Sequence, residues 1–217
     1  MNENIGVDYL INYQQIFSDF EYHLLKDEKP SEYFIGEIEK ALYFDEYPFT
    51  MLKKLKDIPQ SPEHHPEGNV WNHTMLVVDE AALHKDKSED KRVFMWAALL
   101  HDIGKAPTTR VKKGRIIAYD HDKIGGEMAI EFLKKLTDED AFIDNVSKLV
   151  RWHMQILFVV KELPFAELNK MMSQVSYKEV ALLGFCDRLG RGELKEEKIQ
   201  QEKDTIKKFL VKCEGRL

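Results

Sequence analysis

Helical spacing of apolar residues is the feature that most limits the folds open to this chain of 217 residues. Between Tyr9 and Leu25, apolar and aromatic side chains recur every three or four residues, which is the period of one helix face. Similar patterns predict further helices near 31–43, 70–86, 90–103, 121–136, 139–156, 163–173, 176–190 and 193–212. The stretch 109–119 differs, because Gly114 marks the turn of a small hairpin or extended loop. The sequence therefore predicts an all-α protein with one small irregular insertion.

A segment rich in helix-breaking residues gives the best internal boundary. Residues 58–68 contain three prolines and a glycine, which cannot lie inside a helix. The residues before this segment are too few to form a stable core alone. We therefore predict an N-terminal helical extension over 1–57, a main domain over 58–195 and a C-terminal helix over 196–217 packed on the same domain.

Charge and cysteine content narrow the classes of function. The formal net charge of -6 and the pI of about 5.8 argue against a broad basic surface for duplex nucleic acid, although a local phosphate pocket remains compatible. Residues 1–10 do not resemble a signal peptide, and no apolar run reaches the ~18 residues of a membrane span. Cys186 and Cys213 lie far apart and are expected to be reduced thiols. We expect a cytoplasmic protein without a membrane partner.

The pair His101-Asp102 is the first candidate for chemistry. His101 lies on or beside the apolar helix face that runs from Val93 to Leu100, and Gly104 is expected to stop that helix. A charged aspartate beside an inward-facing histidine is costly unless both are paired. A divalent metal would bind neutral imidazole and carboxylate together. The dipeptide alone leaves a buried histidine bonded to a carbonyl as the alternative.

Four more candidates lie in other predicted helices. His73 lies near the start of the preceding helix, and His121 opens the following one. His153 and Asp187 lie in two later helices, the second of which is otherwise apolar. Ligands from different helices that converge in a bundle core are a common way to build a metal site.

The order of these candidate ligands and the sequence motifs around them resemble the HD superfamily of metal-dependent phosphohydrolases. The motif at 97–105 matches the central motif of that superfamily, while 58–74 and 186–192 resemble the C-terminal HD domain of bacterial tRNA nucleotidyltransferases. The resemblance covers about 50–195. The first 50 residues contain neither the Gly-Ser motif nor the Asp-x-Asp pair of the nucleotidyltransferase domain, so we expect an HD module standing alone that does not add CCA ends.

The resemblance implies an HD-domain helical bundle and a divalent metal centre. His73, His101, Asp102 and Asp187 would hold a first ion, and Asp102 could bridge to a second ion held by His121 and His153. The resemblance does not distinguish one bound ion from two, and it does not distinguish among Mn, Fe, Co, Ni, Zn and Mg. The implied reaction is hydrolysis of a nucleotide phosphomonoester or phosphodiester by a metal-activated water, with a 2′,3′-cyclic nucleotide among the candidate substrates.

Polar residues near these motifs are candidates for further roles. Lys105 could neutralise a substrate phosphate and take part in catalysis, or it could be an exposed lysine at a helix end. Arg188 and Arg191 could bind phosphate, or could pair with a nearby carboxylate. Asp122 could serve as an acid or base, or simply as a first-turn carboxylate.

Rival functions remain open at this stage. Cyclic-di-nucleotide phosphodiesterases carry a downstream Gly-Tyr-Pro motif, which is not found. The (p)ppGpp hydrolases carry a Glu-Asp pair, and no such pair occurs in the motif at 97–105. The dNTP triphosphohydrolases remain an alternative. A non-enzymatic alternative is a module that binds a nucleotide or an RNA end around a structural metal. The expected partner is a small phosphorylated substrate, with an RNA end as the second candidate and a homodimer as the commonest assembly.

Overall fold

The computed structural model describes residues 11–192 and 194–216. Its α-helices are α1 (Tyr13–Lys26), α2 (Pro30–Lys40), α3 (Thr50–Lys53), α4 (Val70–His84), α5 (Lys91–Leu100), α6 (Lys105–Thr108), α7 (His121–Leu133), α8 (Asp140–Trp152), α9 (Gln155–Val160), α10 (Leu168–Met172), α11 (Tyr177–Leu189) and α12 (Glu196–Glu214). Short 3-10 helices cover Leu42–Asp45, Lys54–Asp57 and Lys85–Lys87, and the strands are β1 (Thr109–Lys112) and β2 (Arg115–Ala118). The all-α prediction with a small insertion is confirmed.

Helix α5 forms the centre of the bundle. Its residues from Val93 to Leu100 are all buried, because α4, α8 and α11 surround it. Helix α7 packs on α8, while α12 packs on α11 and α9. The candidate ligands are found beyond the C-terminal end of α5, around Asp102.

The N-terminal helices share the same core as the rest of the bundle. Helix α1 packs against α5, and α2 packs against α4. The ring of Phe17 on α1 stacks 5.0 Å from that of Trp96 on α5. The division of the chain at about residue 58 stays a prediction. None of the helices in the described residues is long and apolar enough to cross a membrane.

The insertion at 109–118 is an antiparallel hairpin. Thr109 pairs with Ala118 and Lys112 pairs with Arg115. Lys113 and Gly114 form the turn with φ values of 51° and 73°. Glycine adopts this left-handed conformation without steric cost, so the predicted position of Gly114 at the turn is confirmed.

Several helix limits differ from the sequence prediction. The predicted helix at 139–156 is broken after Trp152. There the Nδ1 of His153 donates a hydrogen bond of 2.6 Å to the carbonyl oxygen of Val150. The predicted helix at 163–173 is reduced to α10. The predicted helix starts at Tyr9 and Glu193 lie outside the described residues.

Gly104 has a role that the sequence did not indicate. Helix α5 already ends at Leu100, and Gly104 adopts a right-handed conformation with φ of -69°. A Cβ atom at Gly104 would lie 2.1 Å from the carbonyl oxygen of His121 and 2.5 Å from the amide nitrogen of Gly125. Glycine is therefore required here because the segment after α5 packs directly on the backbone of α7.

Candidate metal centre

Asp102 lies at the centre of the histidine cluster, and each of its carboxylate oxygens faces two imidazoles. Its Oδ2 lies 3.3 Å from Nε2 of His101 and 3.7 Å from Nε2 of His73. Its Oδ1 lies 3.5 Å from Nε2 of His121 and 3.9 Å from Nε2 of His153. The geometry thus groups potential ligand atoms into two sets that share one carboxylate.

Asp187 extends the first of these two sets. Its Oδ1 lies 3.1 Å from Nε2 of His73. The six side chains come from the ends or interiors of five helices, and all are buried. They are His73 on α4, His101 and Asp102 directly after α5, His121 at the start of α7, His153 directly after α8, and Asp187 on α11. All six candidate metal ligands therefore meet in one place.

Backbone carbonyls fix the orientation of the imidazoles. The Nδ1 atom of each histidine in the cluster lies within hydrogen-bond distance of a carbonyl oxygen, so it carries the proton and leaves Nε2 free. The acceptors are Gly190 for His73 at 3.0 Å, Ala98 for His101 at 2.9 Å, Ala118 for His121 at 2.7 Å and Val150 for His153 at 2.6 Å. Every unprotonated nitrogen then points toward Asp102.

The residues present fit a divalent cation. Within the described residues, Nε2 of His101 and Oδ2 of Asp102 are buried and have no hydrogen-bond partner. Nε2 of His121 also faces Nε2 of His153 at 3.3 Å, which places two lone pairs against each other. Buried acceptors without donors are costly, and a cation would satisfy all of them. The mixed imidazole and carboxylate donors suit Mn, Fe, Co, Ni or Zn.

The protonation states of Asp102, His121 and His153 also favour metal binding. Burial lowers the pKa of His153 to about 4 and lowers the pKa of His121 as well, so both are neutral at pH 7. Burial alone would raise the pKa of Asp102, but the charges of Lys105 and His101 hold it well below its usual range. Neutral imidazole and ionised carboxylate are the forms that bind metal.

Glu67 supports the cluster from behind His73. Its Oε1 lies 2.8 Å from Nδ1 of His73 and 2.8 Å from Nδ1 of His65. Burial would raise the pKa of Glu67, but the hydrogen bonds from these two histidines lower it to about 2. The sequence analysis missed this carboxylate. The signal available was its place in the matched stretch 58–74, since metal-binding histidines commonly have a carboxylate behind them.

A cavity of about 340 Å³ opens onto the cluster. Asp102, His121, His153 and Asp187 line its floor, and the loop at 59–65 and the hairpin form its walls. Grooves of about 660 and 710 Å³ lie elsewhere on the surface, but neither contains a cluster of metal-binding side chains among the described residues.

Lys105 and Arg191 both reach this cavity. Nζ of Lys105 donates a hydrogen bond of 2.7 Å to Oε1 of Gln60. It also forms an ion pair with Oδ2 of Asp102 at 2.7 Å. Nη2 of Arg191 lies 3.8 Å from Oδ1 of Asp187. Two cationic side chains therefore stand beside the candidate ligands.

Asp122 lies beside the cluster but does not line the cavity. It is buried at the start of α7, and its Oδ2 accepts a hydrogen bond of 2.6 Å from Nη1 of Arg151 on α8. Arg151 also donates to Glu167 at 3.1 Å. This pairing ties α7 to α8 and leaves Asp122 facing Arg151 instead of the cavity.

We expect Asp122→Asn to lower stability but to leave turnover nearly unchanged. The substitution keeps the shape and removes one charge-assisted hydrogen bond, a loss of about 1.5–3 kcal/mol in the free energy of unfolding. Urea denaturation and steady-state kinetics check this. A large fall in kcat with unchanged stability would instead support the predicted acid or base role.

Arg188 also lies away from the cavity. It is buried on α11, where its Nε lies 3.1 Å from Oε2 of Glu202 on α12 and its Nη1 donates to the carbonyl of Gly184 at 3.0 Å. Glu202 has a second partner in Lys198 at 2.8 Å. Arg188 therefore joins α11 to α12.

We expect Arg188→Ala to lower the free energy of unfolding by about 3 kcal/mol, because it leaves a buried carboxylate with one partner fewer. The KM for a phosphate ester should not change. The matched variant Arg191→Ala should raise KM with little loss of stability. The opposite pattern, with KM raised only by Arg188→Ala, would show that Arg188 and not Arg191 binds the substrate.

Comparison with known proteins supports the resemblance. Residues 70–173 match the family described as HD domain. HD domains bind divalent metals and form a superfamily of metal-dependent phosphohydrolases. The matched range contains His73, His101, Asp102, His121 and His153, while Asp187 lies beyond it.

The relatives found are proteins named Multifunctional CCA protein. The chain is 38% identical to that of Halorhodospira halophila over 97 residues, which are 45% of this chain and 22% of the relative. It is 28% identical to that of Methylococcus capsulatus over 170 residues, which are 77% of this chain and 33% of the relative. The chain thus spans a third or less of these relatives. The predicted resemblance to an HD domain of this type is confirmed.

Proposed function

We propose that this chain is a metal-dependent phosphohydrolase that cleaves a phosphomonoester or phosphodiester of a nucleotide, with 2′,3′-cyclic nucleotides among its candidate substrates. One observation carries the proposal. The two oxygens of Asp102 each face two unprotonated imidazole nitrogens at the floor of a cavity. A carboxylate shared between two ligand sets is suited to hold two cations close together.

The six ligand candidates would divide between two ions. His73, His101, Asp102 and Asp187 would hold the first, and Asp102, His121 and His153 would hold the second. A bound divalent cation supplies Lewis acidity toward a phosphoryl oxygen and lowers the pKa of water. The chain itself contributes the buried, pre-oriented Nε2 atoms, which lose little conformational freedom on binding.

Substrate binding is assigned to the two cations beside the ligands. The ammonium of Lys105, held by Gln60, and the guanidinium of Arg191 can each donate to phosphate oxygens. The cavity volume of about 340 Å³ lies at the lower end of small-molecule sites, which suits a nucleotide monophosphate. The names of the relatives, which refer to CCA, support a nucleotide or RNA substrate.

The test combines metal analysis with a hydrolysis assay. The purified chain is stripped with chelator, reloaded with Mn, Co, Ni, Zn or Mg in turn, and given a generic phosphodiester, 2′,3′-cyclic AMP and simple nucleotides. We expect turnover that depends on the metal and is lost in the stripped protein. Bound metal without turnover of any substrate would contradict hydrolysis and favour the nucleotide- or RNA-end-binding module. The ratio of metal to chain separates one ion from two.

A further inference from the structure

The β1–β2 hairpin carries a positive charge that contrasts with the acidic chain around it. Residues 109–118 contain Arg110, Lys112, Lys113 and Arg115 and no acidic residue, whereas the whole chain has a net charge of -6. All four side chains are exposed. Within 11–192 and 194–216, none of them forms an ion pair. Their charge is therefore available to a partner.

The register of the hairpin places three of these charges on one face. Lys112 is paired with Arg115, and Arg110 is paired with Ile117. Paired residues of antiparallel strands share a face, and residues two apart along one strand share it too. Arg110, Lys112 and Arg115 therefore lie on the same side of the ribbon, with Arg115 directly across from Lys112.

The hairpin stands beside the candidate active site. Thr109, Ile116, Ile117 and Ala118 line the cavity that contains Lys105 and Arg191. Ile117 lies on the same face of the hairpin as the three cations, whereas Thr109, Ile116 and Ala118 lie on the opposite face. The positive charge therefore lies next to the cavity, on the side of the ribbon that contains Ile117.

An exposed aromatic side chain stands at the base of the hairpin. Tyr119 directly follows β2, precedes the ligand candidate His121 by two residues and is 69% exposed. Nearby Asp120 pairs with Lys123 at 2.7 Å, which offsets its negative charge. Rows of cations beside an exposed aromatic ring are typical of surfaces that bind single strands, because bases stack on the ring while phosphates follow the cations.

We propose that the hairpin is the docking surface for a single-stranded oligonucleotide whose terminal phosphate ester enters the cavity. This inference rests on the proposed function and deepens it, since the substrate becomes the end of a strand and not a free mononucleotide. Lys105 and Arg191 bind the terminal phosphate. Arg110, Lys112 and Arg115 contact the phosphates before it, and Tyr119 stacks on a base.

The first measurement is binding of a short fluorescein-labelled oligoribonucleotide to the intact, metal-loaded chain by fluorescence anisotropy. The variant Arg110→Gln/Lys112→Gln/Arg115→Gln is compared with Lys203→Gln/Lys207→Gln/Lys208→Gln, which removes the same charge from the exposed face of α12. The three hairpin contacts to the phosphates of a single strand should contribute about a 20-fold loss of affinity between 50 and 200 mM salt.

We expect the hairpin variant to bind at least about tenfold more weakly and to lose most of this salt dependence, while the α12 variant behaves as wild type. Tyr119→Ala should weaken binding about tenfold, and Tyr22→Ala on α1, a tyrosine that is 59% exposed, should not. Turnover of 2′,3′-cyclic AMP should be unchanged in the hairpin variant.

Four results would overturn the proposal. The first is equal binding by the hairpin variant and the wild type, and the second is an oligonucleotide that binds no more tightly than the mononucleotide. The third is a blunt duplex that binds as tightly as the single strand. The fourth is binding to anionic lipid vesicles in place of the oligonucleotide. Failure of the proposed function looks different. The wild type would then hydrolyse neither mononucleotide nor oligonucleotide, while hairpin-dependent binding persisted.

Discussion

Asp102→Asn is expected to abolish metal-dependent hydrolysis while leaving the fold intact. Asparagine has the same shape, but it lacks the charge with which Asp102 faces four imidazoles and the ammonium of Lys105. Loss of a shared metal ligand should remove about 4 kcal/mol of transition-state stabilisation, or about a thousandfold in kcat. Metal content measured by mass spectrometry should fall together with kcat.

Asp122→Asn is the matched control for this variant. It makes the same substitution at a buried aspartate nearby, where the partner is Arg151. We expect this control to keep its metal and its kcat. Full metal content and normal turnover in Asp102→Asn would show that the cluster around Asp102 is not the active site.

Gly104→Ala is expected to produce the largest loss of stability. The added methyl group would meet the backbone of His121 and Gly125, which cannot rotate away as a side chain could. Overpacking typically costs 1–3 kcal/mol, and contact with two backbone segments places this variant at about 3 kcal/mol or more. The thermal midpoint should fall by at least about 6 °C. Metal binding should weaken too, because the shift displaces His121 relative to Asp102.

Gly36→Ala provides the opposite result in the same assay. Gly36 lies in α2, and a Cβ atom there would meet nothing within 4 Å. Alanine in a helix is favoured over glycine by about 0.5–1 kcal/mol, so the thermal midpoint should rise slightly. Equal midpoints for the two variants would contradict the close packing of the segment after α5 on α7.

The helical fold was predictable because it depends on local periodicity. The buried run from Val93 to Leu100 and the turn at Gly114 are both visible as patterns of neighbouring residues. The C-terminal end of α8 was harder to predict from the sequence. A histidine at 153 does not interrupt helical spacing, and the break coincides with hydrogen bonds from both its side chain and its backbone N–H to the carbonyl of Val150.

The candidate ligands could be named from the sequence, but their supporting contacts could not. Glu67 acts on His73 across a loop, and nothing in the spacing of the two residues indicates that contact. Arg188 and Arg191 are chemically equivalent in the sequence, since both follow Asp187 within four residues. Only the three-dimensional packing separates them, because α12 covers Arg188 while Arg191 faces the cavity.

The hydrogen bonds from Nδ1 of His101 and His153 connect ligand geometry to helix termination. Each imidazole donates a hydrogen bond from Nδ1 to the carbonyl three residues earlier, in the final turn of α5 or α8. A cation bound at Nε2 would strengthen the Nδ1–H donor and secure these turns. Amide hydrogen exchange at the ends of α5 and α8 should therefore slow on metal addition. Part of the free energy of ion binding would then stabilise the helix ends against fraying.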